Sequence, residues 1–282
     1  MKKTALFFAL CLLVILAGCG GKKGAAESGE AGSQSLYTTV VQYSGEDEST
    51  EKYLEIAGRS QKLLPLLEKN LDAFVMDAYN FQDADGEGTL LYTLNGMNYP
   101  EEIDPNGCSV RIDPNYLKVN PIESADGRPI EEQLVMDDCT LNLLVPEKFR
   151  EQEADILEGY RKHFYFEKVE AENSYNQEAG IQERLDLSLE DLSVHIIYVK
   201  NGQEYCTFRK DCAADTGNRI SDPVAQIYTG NIHCNYAHSL LSQWTYFYWD
   251  GNASQAFEAM KPYVKQCGAS ESFRAVDLAG EF

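Results

Sequence analysis

A chain of 282 residues is long enough for one sizeable domain or two small ones, and its 11% aromatic share, with 17 Tyr and 12 Phe, supplies bulk for a real core. That composition excludes an intrinsically disordered chain. The formal charge of −21 sets 45 Asp and Glu against 24 Lys and Arg, which argues against a nucleic-acid partner or binding to anionic headgroups and favours cationic partners. The same acidity also serves solubility in an exported protein.

The chain opens with Met1, Lys2 and Lys3, continues through an apolar stretch from Ala5 to Leu16 interrupted only by Cys11, and ends this passage in Leu16-Ala17-Gly18-Cys19. A hydrocarbon core about 30 Å thick takes roughly 20 helical residues to cross, so the stretch is short for a span and suits the apolar region of a signal peptide. Leu-Ala-Gly-Cys resembles the lipobox of bacterial lipoproteins. The resemblance implies that residues 1–18 are removed as a signal peptide and that the Cys19 thiol carries the lipid, tethering the chain to the extracytoplasmic face of the membrane. An ordinary signal peptide or an uncleaved anchor would equally put the remainder outside the cytoplasm. Loss of Lys2 and Lys3 takes the charge from −21 to −23. From Cys19 a Gly/Ala/Ser/Glu mixture without bulky apolar residues runs to Ser35, so residues 19–48 are assigned to the lipidated cysteine and a flexible linker, and residues 49–282 to an extracytoplasmic domain.

Ser49 or Thr50 can cap a helix whose apolar positions Tyr53, Ala57, Leu64, Leu67, Leu71, Phe74 and Ala78 recur at three- and four-residue steps, with Pro65 expected to kink or split it. An acidic Gly-rich turn from Asp83 to Gly88 leads into Leu90–Leu94, which reads as a strand. Ser109–Ile112 and Leu141–Val145 read as strands too, and Pro146 with Glu147 starts a second helix with the stripe Phe149, Ile156, Leu157, Tyr160 and Phe164. Leu192–Val199 and Glu204–Phe208 flank Asn201-Gly202, the strongest short hairpin signal in the chain. A strand near Ala225–Thr229, an aromatic cluster at Trp244–Trp249 and a helix near Ala253–Val264 follow. Helices interspersed with such strands predict an α+β domain: a mixed, largely antiparallel sheet with two or three packed helices.

Chemistry-bearing motifs are sparse. There is no nucleophile elbow, no His-Glu-x-x-His and no phosphate-binding Lys-Ser/Thr loop; Ser49-x-x-Lys52 lacks the companion motifs of a serine acylase and reads as a helix cap. Asp83, Asp85 and Glu87, with Gly at the sixth position of the run, match the front half of a calcium loop, but the twelfth position is Leu94 instead of a bidentate carboxylate. His233, Cys234 and His238 are metal-capable groups without a standard spacing, and His163 and His195 sit among apolar residues as partly buried core histidines. No metal or cofactor is expected. Beyond Cys11 and Cys19, six cysteines remain: Cys108, Cys139, Cys206, Cys212, Cys234 and Cys267. In an oxidising exterior Cys206 with Cys212 is the first candidate disulfide, and buried free thiols are the alternative.

Asn115-Tyr116-Leu117, Asn120-Pro121-Ile122, Gly127 and Leu144-Val145-Pro146-Glu147-Lys148 resemble the extracytoplasmic region of bacteriocin-associated integral membrane proteins, a family of immunity proteins related to transporter permease subunits. The similarity continues through Ile197–Gln203, Asn218–Pro223 and Thr229, in short pieces covering about half the chain. These pieces are turns and strand edges, which fix a fold more than a chemistry. Members of that family continue into membrane helices, whereas nothing after Cys19 here is apolar enough to span a bilayer, so the chain is either a freed lipid-anchored domain or the product of a broken gene. The resemblance implies a non-enzymatic accessory that contacts an ABC-type permease or captures a cationic bacteriocin. An exported hydrolase of unrecognised type and a solute-binding lipoprotein are the alternatives.

Overall fold

The computed structural model describes residues 34–280; the expected signal peptide and Cys19 lie outside the described residues. Among the described residues no helix is long and apolar enough to cross a membrane. Ser35–Thr39 is strand β1, although composition placed it in the 19–48 linker: Leu36 and Tyr37 give it apolar area to bury, and Tyr37 is 3% exposed. The folded unit therefore begins inside the expected linker.

Helix α1 (Thr50–Leu71) starts where its cap predicts, with extended Ser49 accepting the Lys52 N–H on Oγ at 3.1 Å. Pro65 does not divide it; the ring sits on the exposed side, clear of the buried stripe that includes Leu63, Leu64 and Leu67. The stop comes at Asp72, left-handed at φ 49°, where the Ala73 N–H turns back to the Leu67 carbonyl at 3.3 Å. Phe74 and Ala78 therefore leave the helical stripe that their spacing suggested, and Phe74 opens strand β2 (Phe74–Asp77). Leu91–Leu94 is a 3-10 turn, not a strand; Leu90 makes one bridge to Asp83, and Leu94, 66% exposed, has no sheet to join.

Strand β3 (Ser109–Ile112), the short helix α2 (Tyr116–Val119) and strand β4 (Thr140–Pro146) come next. A 3-10 stretch, Glu147–Gln152, separates Pro146 from α3 (Glu153–Tyr165), so the second helix starts later than its proline suggests. A π-helical turn, Phe166–Glu170, joins α3 to α4 (Ala171–Glu178). Strands β5 (Ser193–Val199), β6 (Glu204–Cys206), β7 (Arg219–Ser221) and β8 (Val224–Ile227) follow, then α5 (Cys234–Gln243), β9 (Thr245–Trp249), α6 (Ala253–Gln266) and β10 (Val276–Leu278).

Eight strands form one sheet in the order β10-β1-β9-β2-β3-β8-β4-β5, in which β3–β8 and β4–β5 are parallel and the other neighbours antiparallel. The domain is thus α+β with a mixed, largely antiparallel sheet. Helix α1 packs on α5 and α6, while α3 lies against β4 and β5. The Asn201-Gly202 turn does not close a hairpin. β4 takes one edge of β5, from Thr140↔Ser193 to Pro146↔Val199, and at the turn end the other edge is met by residues 123–125, with Ser124 bridged to Val199; β6 pairs with β7 in a separate two-stranded sheet.

That small sheet seals one face of the large one through stacked rings. Phe74 meets Phe208 at 5.2 Å, Tyr246 at 5.6 Å and Tyr116 at 6.2 Å between centroids, and Tyr116 lies parallel to Tyr205 at 6.2 Å. Each such side chain, moved out of water, contributes about 2–3 kcal/mol from area alone. Cys206 and Cys212 stand as free thiols instead of the expected pair, as do the other four cysteines of the described residues. Phe208, at φ 58°, reverses the chain between them, and Cys212 goes to the core beside its bridge partner Gln82.

Candidate functional site

Three polar side chains lie in one row across the sheet, because register pairs Asp77 of β2 with Arg111 of β3, and Arg111 with Gln226 of β8. In β3 the alternation sends Arg111 to the face opposite Val110 and Ile112. A guanidinium 8% exposed needs a counter-charge, and the π-helical turn provides it. The turn inserts an extra residue between α3 and α4, so three consecutive side chains, Glu167, Lys168 and Val169, all point inward. Lys168 Nζ donates to the Asn231 carbonyl at 2.9 Å and pairs with Asp138 at 3.0 Å.

Arg111 Nη2 donates to Glu167 Oε1 at 2.6 Å and Oε2 at 2.7 Å, and to Gln226 Oε1 at 3.2 Å. Gln226 passes the chain on to Ser109 Oγ at 3.2 Å, and His163 Nε2 lies 3.1 Å from Glu167 Oε1. The Tyr236 ring covers the guanidinium at 5.4 Å. Burial alone would push the Glu167 carboxyl up, but Arg111 and then His163 outweigh it and hold it at about 2. Asp77 moves the other way. Burial raises its pKa against the pull of Arg111 and of the Tyr79 N–H, which Asp77 Oδ1 accepts at 2.9 Å.

These groups line a cleft of about 260 Å³ whose mouth is edged by Tyr79, Asn80, Asn106 and Ser239, with Trp244 in the wall. Pro105, Asn106 and His163 also line an adjoining hollow of about 430 Å³ that continues toward Tyr99, Asp104 and Lys162. Gly159 of α3 makes this continuation possible, since a Cβ there would meet the Tyr99 ring at 2.9 Å. Asp104 fixes the rim by accepting the N–H groups of Asn98, Tyr99 and Asn106 at 2.8 to 3.0 Å. With Asp77 and Glu167 against Arg111, the cleft carries an excess of one carboxylate, and it can hold a small cationic group.

The residues singled out by sequence lie elsewhere. Asp83 accepts the N–H groups of Asp85, Gly86 and Gly88, and Asp85 those of Glu87 and Thr89, so these carboxylates tie down their own turn. No metal-binding group is present among the described residues. His233 caps α5, accepting the Asn235 N–H at 3.3 Å, and His238 is buried with Nδ1 2.9 Å from Ser60 Oγ. His195 Nε2 meets the Gln133 carbonyl at 3.1 Å. Of the histidines named, His163 alone reaches the cleft. Arg111, Glu167 and Asp77 went unmarked, although an arginine inside Ser-Val-Arg-Ile, a strand apolar on both sides of it, was the available signal.

Several residues of the stretches 115–127, 144–148, 197–203 and 218–223 meet in space, away from the cleft. Lys148 Nζ pairs with Asp222 at 3.0 Å, the Lys148 N–H reaches Asn201 Oδ1 at 2.9 Å, and the Gln203 N–H reaches Asp222 Oδ1 at 2.9 Å. Asn120 takes the Cys206 N–H and donates to the Glu204 carbonyl. Asn115 ties α1 to this side through the Glu68 and Ala73 carbonyls, at 3.0 and 2.8 Å.

Glu68 also faces a second buried carboxyl, Asp113, whose Oδ1 accepts the Val75 and Tyr116 N–H groups at 2.9 and 3.0 Å while Oδ2 finds no partner. Burial, and then Asp113 itself, push Glu68 up to about 8. The folded state therefore holds a proton that the unfolded chain releases near 4.5, so this stabilising share is complete below that pH and is lost as pH rises toward 8. Glu68→Gln is expected to flatten the stability profile between pH 5 and 8, on the order of 1 kcal/mol, in urea titrations repeated across that range. An unchanged slope would contradict the pairing.

Compared with protein-family models, with curated proteins and with solved structures, the chain gives no match.

Proposed function

We propose that the protein is a lipid-anchored binding protein of the extracytoplasmic face of the bacterial cell membrane. In this reading it acts without catalysis in bacteriocin immunity or peptide transport, by taking a cationic group of a peptide into the Asp77 cleft or by contact with an ABC-type permease. The observation that carries the peptide branch is the cleft itself: Asp77 lies where burial disfavours its charge, beside a buried Arg111–Glu167 pair that leaves one carboxylate in excess. An ammonium or guanidinium group entering there restores the balance. Support for the anchor is the Leu16-Ala17-Gly18-Cys19 run, and for the immunity role the convergence of Lys148, Asn201, Gln203 and Asp222, which belong to the residues of family resemblance.

Isothermal titration with a short lysine-rich peptide tests the first part. Binding is expected to weaken at least about tenfold, roughly 1.4 kcal/mol, in Asp77→Asn and to fall as salt is added. Equal affinity for an uncharged peptide of the same length would remove the charge argument. Labelled palmitate is expected to mark the wild-type protein and to miss a Cys19→Ala form; equal labelling of the two would remove the anchor.

A hydrolase reading draws on one observation, that Asp77 and Glu167 share a cleft and their pKa values are driven apart, as in acid and base pairs. Turnover of a panel of ester, peptide and glycoside substrates, abolished in Asp77→Asn, would favour it over binding. The solute-binding alternative needs two lobes and a cleft between them, and one compact domain without a cleft would exclude it; the described residues cluster as one unit that carries the Asp77 cleft.

A further inference from the structure

A second cavity lies apart from the residues of the Asp77 cleft. It measures about 430 Å³, within the size range of small-molecule sites, and forms where the Asp83–Gly88 turn faces the segment from Asp211 to Ser221. Its floor is apolar. Phe81, Ala213 and Ile220 are 6%, 8% and 4% exposed, and Leu90 adds a wall. The rim is acidic: Asp83, Glu87, Asp211 and Asp215 line it, with Arg219 as the cation in the lining.

The partners of these charges decide what fits. Asp83 is held by the N–H groups of its own turn, and Asp211 by Arg209 at 2.8 and 2.6 Å with Gln82 at 3.1 Å. Arg219 leans toward Glu204, its Nε 4.0 Å from Oε2, across the β6–β7 ladder. Glu87 and Asp215 make no hydrogen bond or ion pair through their carboxylates within the described residues, and Asp215 lies against Gly88, 3.7 Å from where a Cβ would stand. The cavity thus joins a greasy floor to two uncommitted carboxylates at its edge. An anion is repelled there, and a purely apolar molecule leaves the rim unanswered.

We propose that this cavity binds an amphipathic ammonium group, its hydrocarbon part on Phe81, Leu90 and Ile220 and its charge between Glu87 and Asp215. The site is independent of the Asp77 cleft and does not rest on the immunity reading. The shared chemistry is that of a free alkylamine and of a lysine side chain in an apolar peptide, and the probes separate these sources.

Hexylamine, hexanol, hexanoate and acetyl-Leu-Lys-Leu-amide are titrated into the full chain by calorimetry. Hexylamine is expected to bind saturably and hexanoate and hexanol to give no saturable heat. Tighter binding of the blocked tripeptide than of hexylamine assigns the site to a peptide, and the reverse order to a free amine. Because the Asp77 cleft also suits an ammonium group, the variants are compared in an Asp77→Asn background, where saturable hexylamine binding should remain. There Glu87→Gln with Asp215→Asn should weaken hexylamine at least tenfold, and Ala214→Phe, an exposed position filling the cavity, should abolish binding with the far-ultraviolet dichroism unchanged. Binding of hexanoate equal to that of hexylamine, wild-type affinity in the double variant, or loss of binding in Asp77→Asn would each overturn the assignment.

Discussion

Arg111→Ala is expected to lower the free energy of unfolding by about 3–5 kcal/mol, because it leaves Glu167, 3% exposed, as a buried charge without its guanidinium. Against a total stability of about 5–15 kcal/mol, that change is a large fraction of what holds the domain folded. The cost belongs to the abandoned partner, not to the pair. Arg111→Met combined with Glu167→Leu should therefore recover most of the loss, since apolar residues of similar volume replace buried ion pairs with little penalty. Urea denaturation of the three proteins measures all of this. A single variant within 0.5 kcal/mol of wild type, roughly the range of surface changes, would mean that Glu167 is not buried against Arg111.

Phe74→Ala should be as severe, at about 3–5 kcal/mol, for a different reason. Phe74 is fully buried and its ring faces those of Tyr116, Phe208, Tyr246 and Tyr248, which come from three separate parts of the chain. Removing it opens a cavity exactly where no single neighbour can move to fill it without giving up its own contacts. The loss should be accompanied by detachment of the β6–β7 sheet, seen as faster proteolysis near Phe208. Leu94→Ala, at a 66% exposed position, is the control and should stay within about 0.5 kcal/mol of wild type. Equal effects in the two variants would mean that the ring cluster contributes nothing specific.

Much of the architecture was legible because it is local. The Ser49 cap, the strands at Ser109–Ile112 and around Leu141–Val145 and the helix at Ala253–Gln266 follow from side-chain pattern within one window of sequence. The errors share a cause. Asn201-Gly202 has hairpin chemistry, yet the edge of β5 beside the turn is met by residues 123–125, more than seventy positions earlier in the chain, so long-range pairing overrode a local turn preference. Phe74 kept the helical spacing of α1, and only the left-handed Asp72 sent it into the sheet. Leu90–Leu94 had strand composition and no neighbouring strand to pair with.

The candidate cleft was less legible than the fold. Asp77 and Arg111 lie on two strands and His163 and Glu167 on α3 and the π-helical turn after it; only the last two share a local spacing, i,i+4, and nothing in it points to the strands they face. By contrast, Asp83, Asp85 and Glu87 formed a pattern that the eye finds at once, and their carboxylates serve the backbone of their own turn.

What the sequence determined by itself is what one stretch of chain can settle alone: the acidic balance, the apolar run before Cys19, the Ser49 cap and the α+β class. Which strands become neighbours, and therefore which charges are buried together, was decided only in three dimensions. Arg111 meets Glu167 because β3 sits at the centre of the sheet beneath a π-helical turn, and burial makes that meeting obligatory, since neither charge is stable in the interior without the other.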